Sequence, residues 1–577
     1  MMKLKLIFKY KSLLLFITTL ALFLLVFINE YNKRDNKGLN IIYPFNGSLF
    51  PPEFPSPTFI WNDMDEYTTS WKISLSTYNN ELVISEIVNE QKWQPEKDQW
   101  DSLKLLSNNK NISVKLHRYT SEGNKQNKEK TKINIGFSKD SVGAPILYRE
   151  IPIPFKFAEK HPDSMSYRLC NVGSDIPPHD VMKKFMVCGN CHSFTSDGKT
   201  VGLDFDAAHR DKGGYFISDI KDTLIFNPDN YLSWTKLQGK NTFGTFSRLS
   251  PDGRYIVTTI KDRVLSRNIE YGTMEEIAYS QLFFPVNGVL AIYDRKTKEL
   301  NELPGANLGD YVQTSAFWDP NGENLYFARA KALPWEKDSM SLKVEDEQLV
   351  EEYYDRKHDF KFNVYTIPFN NGKGGTAKPV KGASHNNMSN YFPTVSPDGK
   401  WLIFCQAENY MLLMPDSRLY IVPVEGGNAR KLRCNMYEMN SWHSFSPNGK
   451  WLVFSSKALS YYTDMFLTHL DEKGRSSIPV VIERARKKGR VANYPEFVNM
   501  DPEVVFNMSY EYINISHIKL ALLAKDTVEA NFLFDKFINQ DQYSTASEFM
   551  ELSNILKKLK RYKESEKFYK LALEALK

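Results

Sequence analysis

The chain opens with an uninterrupted apolar stretch, Ser12 to Asn29, preceded by Lys3, Lys5, Lys9 and Lys11. Such a stretch is at the short end of what spans a bilayer and long for a signal-peptide core. Its exit, Phe27-Ile28-Asn29-Glu30-Tyr31, carries no small-x-small cleavage pattern and no cysteine to accept a lipid. The pattern therefore favours an uncleaved single-pass anchor over residues 1–30. The four lysines hold the N-terminus in the cytoplasm, which places the bulk of the chain in the periplasm, on the inner (cytoplasmic) membrane.

Beyond the anchor, the periodicity switches to two. Thr58-Phe59-Ile60-Trp61, Ser70-Trp71-Lys72-Ile73-Ser74-Leu75, Ile112-Ser113-Val114-Lys115-Leu116 and Ile133-Asn134-Ile135 alternate, with turn residues between them, including Pro51, Pro52, Pro55 and Pro57. This predicts a β-sandwich of fibronectin or immunoglobulin type over residues 40–155. Pro152-Ile153-Pro154-Phe155 reads as an extended linker leading out of it.

From residue 156 to 517 a longer unit recurs: an apolar residue, a tight turn, then a strand. Its copies are Phe194-Thr195-Ser196-Asp197-Gly198-Lys199, Ser250-Pro251-Asp252-Gly253-Arg254, Asp319-Pro320-Asn321-Gly322-Glu323, Ser396-Pro397-Asp398-Gly399-Lys400 and Ser446-Pro447-Asn448-Gly449-Lys450. Asp-Gly and Asn-Gly supply the positive φ of a hairpin turn, and apolar runs such as Trp401-Leu402-Ile403-Phe404 follow. The glycines lie 55, 69, 77 and 50 residues apart, so loops decorate a four-stranded unit. The charged stretch Lys331 to Phe362 is one such insertion, with a short helix expected at Gln348 to Arg356. The repeat resembles the β-propeller repeats of the TolB family, most closely in Ser396 to Phe404. A degenerate copy at Tyr494-Pro495-Glu496-Phe497 through Val505-Phe506 would complete the six blades that this resemblance implies. From 518 to 577 the period becomes helical. Arg561 to Leu573 resembles half of a tetratricopeptide repeat, which alone cannot bury its apolar face and needs the propeller or a partner. A plain helical hairpin is the competing reading. The fold class expected is thus mainly β: anchor, sandwich, six-bladed TolB-like propeller and short helical tail.

Composition narrows the function classes. Hydrophobic residues make up 42% of the 577 and aromatics 14%, enough for real cores rich in strand formers. A net charge of +5 with no long basic tract argues against nucleic acid. The Lys- and Asn-rich run Asn108 to Lys132 reads as a solvated hairpin loop. Five cysteines make no disulfide framework. Cys405 falls within a strand as a buried thiol, and a bridge between Cys170 and Cys434 is left open.

The sharp chemical signal is Cys188-Gly189-Asn190-Cys191-His192. Two thiols three residues apart can each add to a haem vinyl group, and the adjoining histidine can reach the iron. Zinc would require a second Cys or His pair at ligand spacing, and a thioredoxin-like pair would require a βαβ setting. An incidental motif is the remaining alternative. The resemblance to c-type cytochromes implies one covalent haem c attached on the outer side of the membrane, where the anchor places the motif. His192 lies five residues before the turn aspartate Asp197, and His443 lies at the same offset from Asn448. Equivalent blade positions are expected to face a common channel, so His192 and His443 are candidates for bis-histidine ligation. Behind His443 as distal ligand come His209, next to Arg210, and then Met436 and Met439.

No Gly-x-Ser-x-Gly, phosphate loop or His-Glu-x-x-His occurs, and the tail is too short for a peptidase domain. Asp204, Asp206 and Asp211 read as turn and surface acids. The expected function is an envelope protein with an electron-transfer or redox accessory role. It would meet other envelope proteins through the propeller face and the helical tail. A non-enzymatic scaffold with structural or no haem is the alternative, and a haem enzyme using His209 and Arg210 is a third reading.

Overall fold

The structure, a computed structural model, describes residues 38–65, 67–108, 110–119, 130–183, 189–205, 212–279, 281–334, 341–510, 515–523, 525–539 and 545–576. The expected anchor, Cys188, Asp206, His209, Arg210 and Asp211 lie outside the described residues. Among the described residues no helix is long and apolar enough to cross a membrane. The chain divides into two compact units.

The first unit contains two antiparallel sheets. One pairs Leu39–Tyr43, Phe59–Asp63 and Lys92–Trp93; the other orders Lys130–Phe137, Ile112–Arg118, Trp71–Ser76 and Leu82–Val88. The strands on either side of the Lys-rich run pair as expected of a hairpin, Leu116 opposite Thr131. Trp61, Trp71, Trp100 and Phe137 fill the core edge-to-face. Arg118 grips Asp63, which also accepts from Trp71 Nε1 at 2.8 Å.

The unit ends at Phe137, short of the expected boundary at 155. Ile146–Pro152 is not the close of the sandwich but a propeller strand, and Phe155–Lys160 is a short helix rather than a linker. Alternation alone cannot say which sheet a strand joins, and its partner here lies more than 300 residues away.

Among the described residues six four-stranded antiparallel sheets follow one another in a closed ring. Blade 1 is composite. Ile146–Pro152, Ser166–Cys170 and His179–Lys183 supply three strands, and Arg490–Phe497 returns from the far end of the propeller as the innermost. The degenerate sixth copy is therefore one closing strand. Blades 2 to 6 begin with the inner strands Gly189–Phe194, Arg248–Leu249, Tyr311–Trp318, Ser389–Val395 and Asn440–Phe445. After closure, Asn507–Tyr510 pairs in parallel with Thr223–Phe226.

Each inner strand of blades 2 to 6 ends in the recurring turn. The turn is wired by side chains: Ser250 Oγ donates to Asp252 Oδ1 at 2.6 Å and accepts from Tyr255 N at 2.9 Å, and Arg254 N donates to the same carboxylate at 3.0 Å. Thr195, Ser396 and Ser446 repeat this arrangement. Gly198, Gly253, Gly322, Gly399 and Gly449 all sit at φ between 68° and 72°, which only glycine adopts without strain. These turns define one face of the propeller, and the longer loops define the other. The insertion in blade 4 carries a helix at Glu347–Tyr354, capped by Asp346.

The loop face of the channel is plugged. Phe155 from blade 1, Phe283 from blade 3, Leu412 and Leu413 from blade 5, and Met439 from blade 6 pack into one cluster with Phe246, Phe392 and Trp442. Met439, a distal-ligand candidate, is thus a core residue. The helix Met274–Tyr279 of blade 3 reaches blade 6: Lys457 donates to Ala278 O, and Tyr279 donates to Glu438 at 3.1 Å.

The tail folds on itself. Ile515–Leu523, Thr527–Ile538, Ala546–Lys558 and Tyr562–Glu574 share a core of Ile518, Phe534, Phe537, Leu552, Leu556 and Phe568. The apolar face expected to need the propeller or a partner is covered by the preceding helices.

Blade 1 is closed by Glu150 as well as by backbone pairing. Its carboxylate, 2% exposed, meets Arg168 at 3.0 Å, Arg490 at 2.5 Å and Lys487 at 3.4 Å. Replacing it by alanine removes the carboxylate shared by Arg168 and Arg490, leaving Arg168 paired only with Asp180 at 2.9 Å and Arg490 with the Ser164 carbonyl. Glu150→Ala is expected to lower unfolding stability by about 3 kcal/mol, read in urea unfolding. A change within error would show that the backbone ladder alone holds the ring.

Candidate functional site

The pairing slips by one residue in five inner strands, at the same place between Thr314 and Phe317, Tyr391 and Thr394, Ser441 and Ser444, and Asn493 and Glu496, and a residue earlier in blade 2, between Gly189 and His192. Each slip is a β-bulge that re-aims a side chain. Four residues before the turn position, Phe246, Ser315, Phe392, Trp442 and Tyr494 have φ of 58°, 48°, 50°, 43° and 53°. Such backbone costs about 1–3 kcal/mol per residue and recurs here in register. All five line a channel cavity of about 540 Å³. Turn residues Pro251, Pro320, Pro397 and Pro447 also line it, so it reaches the turn face. Cys191 occupies the same register in blade 2, four residues before Thr195.

One buried ion pair crosses the wall. Arg248 donates to Glu496 at 2.8 Å and approaches the Tyr494 hydroxyl at 3.5 Å, with its guanidinium 4.5 Å from the Phe317 ring. Burial raises the Glu496 carboxyl, and the Arg248 charge opposes that rise. Asp204, also buried, accepts from Ser247 N at 3.0 Å through one oxygen, while the other has no partner. Burial pushes its pKa well up, so the expected surface acid is an interior one.

His192 lies at the seam of blades 1 and 2, 1% exposed. Tyr494, Tyr167 and Phe194 stand edge-on to its ring at 5.1, 5.9 and 5.9 Å. Neither ring nitrogen makes a hydrogen bond; the Leu147 carbonyl lies toward the ring without reaching bonding geometry. Burial, reinforced by Arg248, lowers its pKa to about 3, so the imidazole is neutral. The adjacent Cys191 is partly exposed, and burial of its thiol, with Asp204 nearby, pushes the pKa up. Gly189 is required by packing, since a Cβ there would fall 2.8 Å from the Tyr167 hydroxyl, which donates to Asn190 O.

The structure does not join His192 to His443. His443 lines the channel, but its Nε2 meets Ile403 O at 3.2 Å and its Nδ1 faces Cys405 Sγ at 3.8 Å, both in blade 5. Burial lowers its pKa to about 4. No bond or ring contact links the two histidines among the described residues. The equal offset from the turn is real, but neighbouring blades claim the two rings differently. Cys405 is the buried strand thiol expected, raised to about 12, and Cys170 and Cys434 are both free and buried. The bulge ring and the Arg248–Glu496 pair went unnoticed in the sequence. The signal was present as a large side chain four residues before most turn copies.

No family model matches the chain, and no curated protein matches it. Among solved structures it is similar to TolB from Acinetobacter baumannii, at 15% identity over 67% of this chain and 79% of that one, with a TM-score of 0.37. It is also similar to a protein described as TolB from Agrobacterium tumefaciens, at 14% identity over 61% and 98%, with a TM-score of 0.33. An oligogalacturonate lyase in complex with manganese shares 16% identity over 50% and 64%, with a TM-score of 0.31. The class of protein is a mainly β one with a six-bladed propeller and C-terminal helices, as the sheet order itself establishes.

A histidine whose pKa is depressed by folding stabilises the native state fully above its ordinary value near 6.5. That contribution is lost as pH falls, because the unfolded chain takes up the proton first. The difference in unfolding free energy between wild type and His192→Phe is therefore expected to be flat above pH 7. Below pH 6.5 the wild type should lose ground at up to about 1.4 kcal/mol per pH unit, down toward pH 3. A flat difference through pH 4 would mean that the ring is not buried as described.

Proposed function

We propose that this is a membrane-anchored, outward-facing protein whose propeller holds one covalent haem c and serves electron transfer or a redox accessory role. The observation that carries this reading is His192: buried, neutral, with both ring nitrogens free of hydrogen bonds, next to Cys191. An unsatisfied buried polar group costs about 1–3 kcal/mol, and a neutral imidazole with a free lone pair is the form that ligates iron. The donor set fits the group. Cys188 and Cys191 would hold it and His192 would ligate it; when bound, it supplies a one-electron couple. His443, held by blade 5, is left out of the ligand set in this proposal, and the lysine-preceded apolar stretch at residues 12–29, read as an anchor, supports an outward location.

A second reading rests on the tight aromatic packing around His192. In it, the ring is a seam residue and the propeller is a partner-binding scaffold without haem. Exposed apolar side chains on the tail helices, Val528 at 81% and Phe532 at 53%, support docking to other envelope proteins.

Expression with the c-type maturation machinery, followed by intact mass and a haem stain, separates the two readings. The first expects one haem per chain, lost in the double variant Cys188→Ala/Cys191→Ala. His192→Phe is expected to keep the attachment and shift the Soret band, whereas His443→Ala leaves the spectrum unchanged. Protein matured in this way but free of covalent haem would leave the scaffold reading standing.

A further inference from the structure

We infer that the channel is a blind binding site for an uncharged aromatic molecule bearing a carbonyl-type acceptor, entered from the turn face. The volume, about 540 Å³, falls within the range of small-molecule sites. The loop-face end is closed by the cluster around Phe155, Phe283 and Met439, so a ligand enters past the turn prolines. The wall mixes aromatic rings, prolines and hydroxyl side chains, and its one buried cation, Arg248, is neutralised by Glu496 at 2.8 Å. A charged ligand would add an uncompensated charge to this wall.

Two donors favour an acceptor oxygen. Ser315, 7% exposed and lining the cavity, has a hydroxyl with no partner. Arg248 Nη2 has only long contacts, 3.5 Å to both Tyr494 and Glu496. Ser315 also makes the cavity lopsided. Blades 3 and 5 carry Phe246 and Phe392 at its register and backbone conformation, so the space at blade 4 is where a phenyl ring would otherwise stand. The chemistry needed is a flat apolar body for that space and one oxygen for the hydroxyl. Nothing in this site depends on the haem reading, since none of the described motif residues, Gly189 to His192, lines the cavity.

The test is calorimetric titration of the full chain with 2-acetylnaphthalene, naphthalene and 2-naphthoate. The ketone is expected to bind best, and the carboxylate at least about tenfold more weakly, because its charge is not matched. Ser315→Ala should weaken the ketone about tenfold and leave naphthalene unchanged, since a site built around a donor loses discrimination without it. Ser315→Phe repeats a residue that the same backbone accepts in two other blades, so it should fold, and it should abolish binding of all three. No heat with the ketone, or ketone binding that survives Ser315→Phe, overturns the site. Equal binding of ketone and carboxylate, or an unchanged ketone affinity in Ser315→Ala, overturns the ligand class.

Discussion

The propeller depends on one long-range strand pairing. Arg490–Phe497 must lie beside Ile146–Pro152, across more than 300 residues, before the ring has an inside. Until it does, Ile146–Pro152 of blade 1 presents an open edge, and a sheet edge is a template for wrong pairing. Glu150 reinforces the join by drawing Arg168, Arg490 and Lys487 onto one covered carboxylate. The same closing strand then contributes Tyr494 and Glu496 to the channel, so closure and the site are built by the same residues.

Within the closed ring, the repeated bulge does the shaping. Regular alternation would send successive inner-strand side chains to the two faces of each blade. A one-residue slip in five of the six inner strands instead re-aims the side chains there, which in blades 1, 5 and 6 are the large Tyr494, Phe392 and Trp442, and the strained φ is tolerated because flanking blades hold it from both sides. Phe246 and Phe392 touch at 5.5 Å, and Trp442 and Tyr494 lie 6.4 Å apart. Below them the loops of blades 1, 3, 5 and 6 seal one end, which leaves the turn face as the mouth.

His192 and His443 show how a shared register can hold two different environments. Both rings are buried and neutral. One is satisfied by a carbonyl of the blade beside it; the other is surrounded by aromatic edges, with the Leu147 carbonyl toward its ring but outside bonding geometry. The difference comes from Tyr167 and Tyr494 of blade 1, a blade with no ordinary turn copy and hence none of the repeat by which the others are recognised.

Much of this was legible in the chain itself. Asp-Gly and Asn-Gly turns, apolar strands after them and a helical period beyond 518 determine a blade-like repeat and a helical end, because turn chemistry and periodicity are local. The helix at Glu347–Tyr354 and the buried Cys405 followed from the same local signals. Tertiary structure alone decided that Ile146–Pro152 belongs to the propeller, that the tail covers its own apolar face, and that Cys191 and His192 meet Tyr494 rather than His443. Each of these is a choice among partners distant in sequence. Alternation is the same in a sandwich strand and in a blade strand, so only closure of the ring, which pairs the two ends of the propeller, selects between them.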